Sequence, residues 1–237
     1  MQEFYEEHGW ISIKGCIERR ALDEVVTDIA AILNEGGRFP SLDDAIRHLD
    51  ANDRERLYSL HMAANKICSL RRVNVAFAEV LQGLNGSTSP IYEISVGFLL
   101  GIPKDRRLAY DFHQESSFMK GFGEISSFHF PLRGPATIAN GTMSVLDSSH
   151  RLGPLPFLKS RTALNGFTDL VPDGIDEIKS RHPEVHCVLE PGDVVVFHKD
   201  CIHRSNFNES DACRLVGVSR LTQRYNVDYR PQSYEAL

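Results

Sequence analysis

Residues 108–115 read LAYDFHQE, and residues 201–214 read CIHRSNFNESDACR. The first stretch holds His113 and Glu115, two metal-ligand types one residue apart. In an extended strand, side chains at i and i+2 point to the same face, so both can reach one ion. The second stretch holds His203, with Ser205 and Arg214 after it. Two imidazoles and one carboxylate are the donor set of non-haem Fe(II) oxygenases, which fill three positions on the metal and leave the others open. An HxE alone carries little weight, because chance and surface strands produce many. What singles this one out is its pairing with a distal His and a following Arg, each in a strand-like stretch.

The elements that must position these residues follow from the apolar pattern. Residues 10–14 alternate as a short strand. Leu22, Val25, Val26, Ile29, Ala30 and Leu33 recur at helical spacing, and Gly36-Gly37 ends that helix. Ser41 with Asp43 and Asp44 opens another helix by capping free N–H groups. Helical patterning returns across 60–84, with Val75, Phe77, Val80, Leu81 and Leu84 on one buried face. From about residue 90 the character changes to strands, expected at 91–100, 107–114, 126–130, 143–146, 185–189, 194–198, 202–208 and 213–221. Helices followed by about eight strands indicate an α+β fold, a jelly-roll (double-stranded β-helix, cupin-like) core with N-terminal helices packed on it. One domain over 1–237 is expected, helical over about 1–88 and jelly roll over about 89–222. Residues 154–184, irregular and rich in Pro and Gly, are a candidate lid.

Composition narrows the function. The 237 residues are 42% hydrophobic and 24% charged, ordinary for a globular protein. A net charge of −6 with scattered basic pairs argues against nucleic acid or an anionic membrane as partner. Five cysteines without CxxC or regular spacing read as free thiols in a reducing compartment. With no secretory leader and no apolar run long enough for a bilayer, a cytoplasmic protein is expected, monomeric or homodimeric.

Three further segments extend the pattern. Residues 140–153 read NGTMSVLDSSHRLG, 190–198 read EPGDVVVFH, and Phe4 is followed by Gly9-Trp10-Ile11-Ser12-Ile13 ahead of an amphipathic helix. With the HxE and the distal His, these resemble the phytanoyl-CoA dioxygenase family of Fe(II)/2-oxoglutarate oxygenases over nearly the whole chain, least so over 154–184. The family usually carries HxD. Glu115 adds a methylene and still offers a carboxylate.

The resemblance implies roles. His113, Glu115 and His203 hold Fe(II). Arg214 grips the distal carboxylate of 2-oxoglutarate, and Ser205 donates a hydroxyl hydrogen bond to it. A buried dicarboxylate needs a buried cation, and guanidinium matches carboxylate geometry. Arg204 and Arg220 compete for that role, although Arg204 is expected to face away from the metal. Tyr110 stands where relatives carry an aromatic that flanks the cosubstrate, which needs a bend in the strand because its parity is opposite to that of His113. Phe130 stands near a cosubstrate-contacting Trp of relatives, with a plain core role as its alternative. Asn140 and His150 are expected to fix loops behind the site. Cys201 shares the parity of His203 and is either near the metal or simply buried. His129, His182, His186 and His198 stay unassigned. The implied reaction uses O2 to hydroxylate a C–H bond of a small-molecule substrate, releasing succinate and CO2. Its alternatives are desaturation, cyclisation or epimerisation at the same site, a non-catalytic binding protein, or a Zn/Mn cupin-type enzyme.

Overall fold

The computed structural model describes residues 1–106, 109–119, 123–159 and 170–224. Helical periodicity becomes helices through the first part of the chain. After α1 (Gln2–His8) and β1 (Trp10–Ile13) come α2 (Arg19–Leu33), α3 (Leu42–Asn52), α4 (Arg54–Ala64), α5 (Cys68–Arg72) and α6 (Asn74–Asn85). In α2, Leu22, Val25, Ile29 and Leu33 share one fully buried face. Burial of each contributes about 1.5–3 kcal/mol, against the entropy of ordering it. Ser41 caps α3, its hydroxyl accepting from the Asp44 N–H at 3.1 Å. The pattern over 60–84 forms three helices rather than one. Val75 is exposed while Phe77, Leu81 and Leu84 are buried. Two residues from Phe77, Val75 lies about 200° around the helix, on its far side.

The strands are β2 (Tyr92–Gly101), β3 (Ser126–Pro131), β4 (Met143–Leu146), β5 (Phe157–Lys159) and β6 (Leu170–Pro172). After α7 (Ile175–Arg181) come β7 (Glu184–His186), β8 (Val194–His198), β9 (His203–Ser205) and β10 (Arg214–Thr222). One antiparallel sheet has the order β1-β8-β3-β10-β2 and a second has β7-β4-β9, with β5 and β6 paired separately. The period of two sorts the side chains. Phe128, Phe130, Val194, Val196 and Leu215 face the helical layer with Leu22, Ile29, Phe77 and Leu81. Val195 and Phe197 turn the other way, into a core shared with Met143, Val145 and Leu189. The result is a double-sheet jelly roll with helices on one outer face. Gly217 of β10 lies opposite Phe130, and a Cβ there would come within 2.2 Å of Phe130 Cζ. The ring occupies the space a side chain would need. No helix among the described residues is long and apolar enough to cross a membrane.

Two expectations are corrected. Of the strand expected at 107–114, the described residues 109–114 form no regular strand. His113 makes an isolated antiparallel bridge to His203, and Glu115 opens a 3-10 turn, Glu115–Ser117. The Phe118 and Met119 N–H groups both donate to the Glu115 carbonyl at 3.0 Å, which turns the chain away from any ladder. Second, the stretch 154–184 is not irregular throughout, since β5, β6 and α7 lie in it. Its residues 160–169, like 107–108 of the expected strand, lie outside the described residues.

Candidate metal centre

The bridge between the two histidines builds the site. The His113 N–H donates to the His203 carbonyl at 2.9 Å and the His203 N–H returns the bond at 3.0 Å, bringing the rings to a centroid distance of 4.2 Å. Gln114 is extended, so Glu115 returns to the side of His113. One donor atom from each of His113, Glu115 and His203 lies within 4.8 Å of the other two. Both imidazoles are tethered alike. His113 Nδ1 donates to the Asp111 carbonyl at 2.7 Å, and His203 Nδ1 donates to the Cys201 carbonyl at 2.9 Å. Each tether fixes the tautomer and leaves the Nε2 lone pair for a metal.

Electrostatics agree with this geometry. Burial, with His203 alongside, lowers the His113 pKa from 6.5 to about 3, so the ring is neutral at physiological pH. Burial opposes ionisation of Glu115, but the Arg220 guanidinium and His203 outweigh it and hold the carboxyl well below its usual range. Arg220 Nη2 donates to Glu115 Oε1 at 2.7 Å. A neutral His113 imidazole, a second imidazole at His203 and an ionised carboxylate suit a divalent ion. Among the described residues the cluster supplies three ligands, which is the open arrangement of Fe(II) oxygenases rather than a closed tetrahedral zinc site.

Gln114, missed in the sequence, holds the loop between the ligands. It is fully buried, and its Nε2 donates to the Gly153 and Asp200 carbonyls at 2.9 and 2.7 Å. Its Oε1 accepts from the Leu155 N–H at 2.9 Å. Ser149 acts on the other ligand segment, its hydroxyl accepting from the Ile202 N–H at 2.8 Å just before His203.

A cavity of about 520 Å³ adjoins the centre, lined from the jelly roll by Tyr110, Ser205, Arg214 and Arg220 and from the helices by Leu57 and His61 of α4. Arg214 has no acidic partner among the described residues, and its Nε donates to the Asn140 carbonyl at 3.0 Å. Burial lowers it to about 10, so it remains a cation at neutral pH. The Asn140-Gly141 turn behind it is tight. Gly141 has φ 79°, and a Cβ there would lie 2.5 Å from the Asn206 carbonyl oxygen. Tyr110 lies on the site side, its ring 6.4 Å from that of His113, because this stretch is not a regular strand and parity does not bind it.

Four other sequence readings meet the structure here. Phe130 is corrected: its ring packs on Phe77 at 5.3 Å on the helical side of β3, turned away from the metal centre. The inward neighbour is His129. Cys201 is buried among Val145, Cys187 and Phe197, and burial pushes its thiol pKa up. Its carbonyl, not its sulfur, serves the centre. Arg204 faces away, on Glu184 at 2.8 Å. His150 reaches the Glu6 carbonyl at 3.1 Å, and Asn140 Oδ1 accepts from the Thr137 N–H at 2.8 Å, so both fix loops as expected. Of the unassigned histidines, His182 bonds the Asp147 carbonyl and His186 the Ser144 hydroxyl. His198 Nδ1 accepts from the Asp200 N–H.

Fold and donor set together define a jelly-roll protein with a candidate two-histidine, one-carboxylate metal site. The family model described as Phytanoyl-CoA dioxygenase (PhyH) matches residues 5–216, and the chain belongs to this family. A Mus musculus relative, "Phytanoyl-CoA dioxygenase, peroxisomal", is 24% identical over 234 residues, covering 90% of this chain. The alignment spans 64% of that relative's length. Among solved structures, EctD from S. alaskensis with bound Fe has a TM-score of 0.63 at 17% identity, covering 93% of this chain and 75% of EctD. The epimerase SnoN, in complex with Fe3+, alpha ketoglutarate and nogalamycin RO, has a TM-score of 0.63 at 16% identity, covering 93% and 81%. At these identities the likeness concerns the fold.

Proposed function

We infer that this chain is an Fe(II)- and 2-oxoglutarate-dependent dioxygenase that hydroxylates a C–H bond of a small-molecule substrate. The observation that carries the reading is the convergence of His113, Glu115 and His203 beside a cavity that also holds Ser205 and the half-buried Arg214, which has no acidic partner among the described residues. In this reading His113 and His203 present Nε2 to the metal, and Glu115 neutralises part of its charge. Arg214 receives the distal carboxylate of 2-oxoglutarate with its planar fork, and Ser205 donates one more bond. Tyr110 walls the cosubstrate on one side. The apolar Leu99 and Val218 limit water around it. Bound iron would supply the oxygen chemistry, coupled to oxidative decarboxylation of 2-oxoglutarate to succinate and CO2.

Anaerobic titration with Fe(II) and then 2-oxoglutarate tests this, with the visible metal-to-ligand charge-transfer band of the chelate as readout. Succinate production on admitting oxygen completes the test. Tetrahedral zinc without 2-oxoglutarate binding would favour the cupin-type alternative, and binding without turnover a non-catalytic protein. The fold shared with SnoN supports a second reading, epimerisation at the same site. Product mass separates the outcomes. Hydroxylation adds one oxygen, desaturation or ring closure removes two hydrogens, and epimerisation leaves the mass unchanged. All five cysteines are free, which supports a reducing compartment such as the cytoplasm. Co-localisation of the tagged protein with a peroxisomal marker would overturn that location.

A further inference from the structure

Alternation along β3 sends Phe128 and Phe130 to the helices and His129 inward. His129 is 7% exposed, packs on Phe197 at 4.9 Å and lies 6.3 Å from the His203 ring. Its Nε2 is buried and has no hydrogen-bond partner among the described residues. With Ser205, Arg214, Thr142 and Met143 it borders a small void at the foot of the cavity. A buried polar nitrogen without a partner is costly to keep, and such a group in a native fold asks for an explanation. The void offers one, because Arg214 and Ser205, which border it with His129, present a guanidinium and a hydroxyl, both carboxylate partners.

We propose that His129 is a third donor to the distal carboxylate of 2-oxoglutarate, its Nε2–H completing the set begun by Arg214 and Ser205. This rests on the oxygenase reading above. A carboxylate offers about four lone-pair sites. Arg214 has spent its Nε–H on Asn140, so its terminal nitrogens and the Ser205 hydroxyl leave an acceptor position over. An imidazole on the neighbouring strand fills it without bringing a second buried charge. The arrangement makes His129 a determinant of which 2-oxo acid is accepted.

The test is direct binding to the Fe(II)-loaded protein without oxygen, using 2-oxoglutarate and 2-oxopentanoate, which keeps the chelating end and lacks the distal carboxylate. His129→Phe and His129→Asn are expected to weaken 2-oxoglutarate about ten-fold or more and to leave 2-oxopentanoate unchanged. His129→Gln, whose amide N–H reaches about as far as the imidazole Nε2 where that of asparagine falls short, is expected to recover part of the loss. Fe(II) affinity before 2-oxo acid is added stays at the wild-type value in all three. Two losing variants guard against one that fails to fold. Wild-type affinity for 2-oxoglutarate in either folded variant overturns the proposal, as does equal weakening of both 2-oxo acids. Arg214→Ala separates the two levels. If it weakens 2-oxoglutarate while His129→Asn does not, the assignment of His129 falls alone. If the wild type binds no 2-oxoglutarate, the oxygenase reading falls and this proposal with it.

Discussion

Arg214 and Arg220 project from the same face of β10, yet they meet different anions. Arg220 is spent on Glu115, whereas Arg214 has no acidic partner among the described residues. Arg214→Ala is therefore expected to weaken 2-oxoglutarate by about 1.5–3 kcal/mol, roughly ten- to a hundred-fold, with Arg214→Lys intermediate because the planar fork is lost. Binding titrations at fixed Fe(II) check this, and Arg204→Ala, on the far side of β9, is the control. Arg220→Ala should act on the apoprotein instead. It leaves the Glu115 carboxylate buried with only His203 beside it, at a cost of about 2–3 kcal/mol in urea denaturation. That is below the full cost of breaking a buried pair because Arg220 is 24% exposed. Acid has a defined sign as well. His113 titrates at about 3 when folded, against 6.5 unperturbed, so its contribution is complete above 6.5 and is lost as pH falls toward 3. The lowered Glu115 adds a loss below its ordinary value of 4.5. Denaturation of the apoprotein across this range should show stability falling with pH, and His113→Gln should flatten the upper part of the curve.

Among the elements, the irregular 109–117 segment and β10 carry the most constraint. Gln114 ties the ligand loop to Gly153, Leu155 and Asp200 at once. Gln114→Ala strands those buried groups, each worth about 1–3 kcal/mol if left unsatisfied. A fall in stability is expected together with weaker Fe(II) binding, because the residues on either side of Gln114 are candidate ligands. Calorimetry and metal titration of one preparation read both, and a variant with wild-type metal affinity would show that the loop holds without its clamp. β10 is limited by shape. Gly217→Ala drives a methyl against the Phe130 ring and is expected to cost about 1–3 kcal/mol, measurable as a lower denaturant midpoint.

At the scale of the whole molecule, the metal centre joins a turn before β3 to the first residue of β9, between the two sheets. Ligand binding to such a site stabilises the fold by mass action. Fe(II) at a hundred times its dissociation constant should raise the unfolding free energy by about 2.7 kcal/mol, seen in anaerobic melting. Much of this molecule was legible in one dimension. The helices follow from apolar spacing that only one buried face satisfies, as at Leu22, Val25, Ile29 and Leu33. Seven of the eight expected strands follow from β-rich runs between turn residues, and His113, Glu115 and His203 from ligand types in a recurring pattern. The misreadings share a cause. Phe130 and the unassigned His129 are one residue apart, an offset that reverses the face of a strand, and the neighbours that decide the face, Phe77 and Gly217, lie far away in sequence. The strand expected at 107–114 gives way to the turn at Glu115, where the Gln114 side chain is held by Gly153, Leu155 and Asp200 from distant segments. The Arg220–Glu115 pair spans 105 residues and the orphaned nitrogen of His129 has no signature in sequence at all. Local pattern and residue chemistry thus determined the elements and the candidate metal ligands. Only tertiary packing decided which side chains face the site and which buried polar groups it leaves unpaired, because both depend on contacts between distant segments.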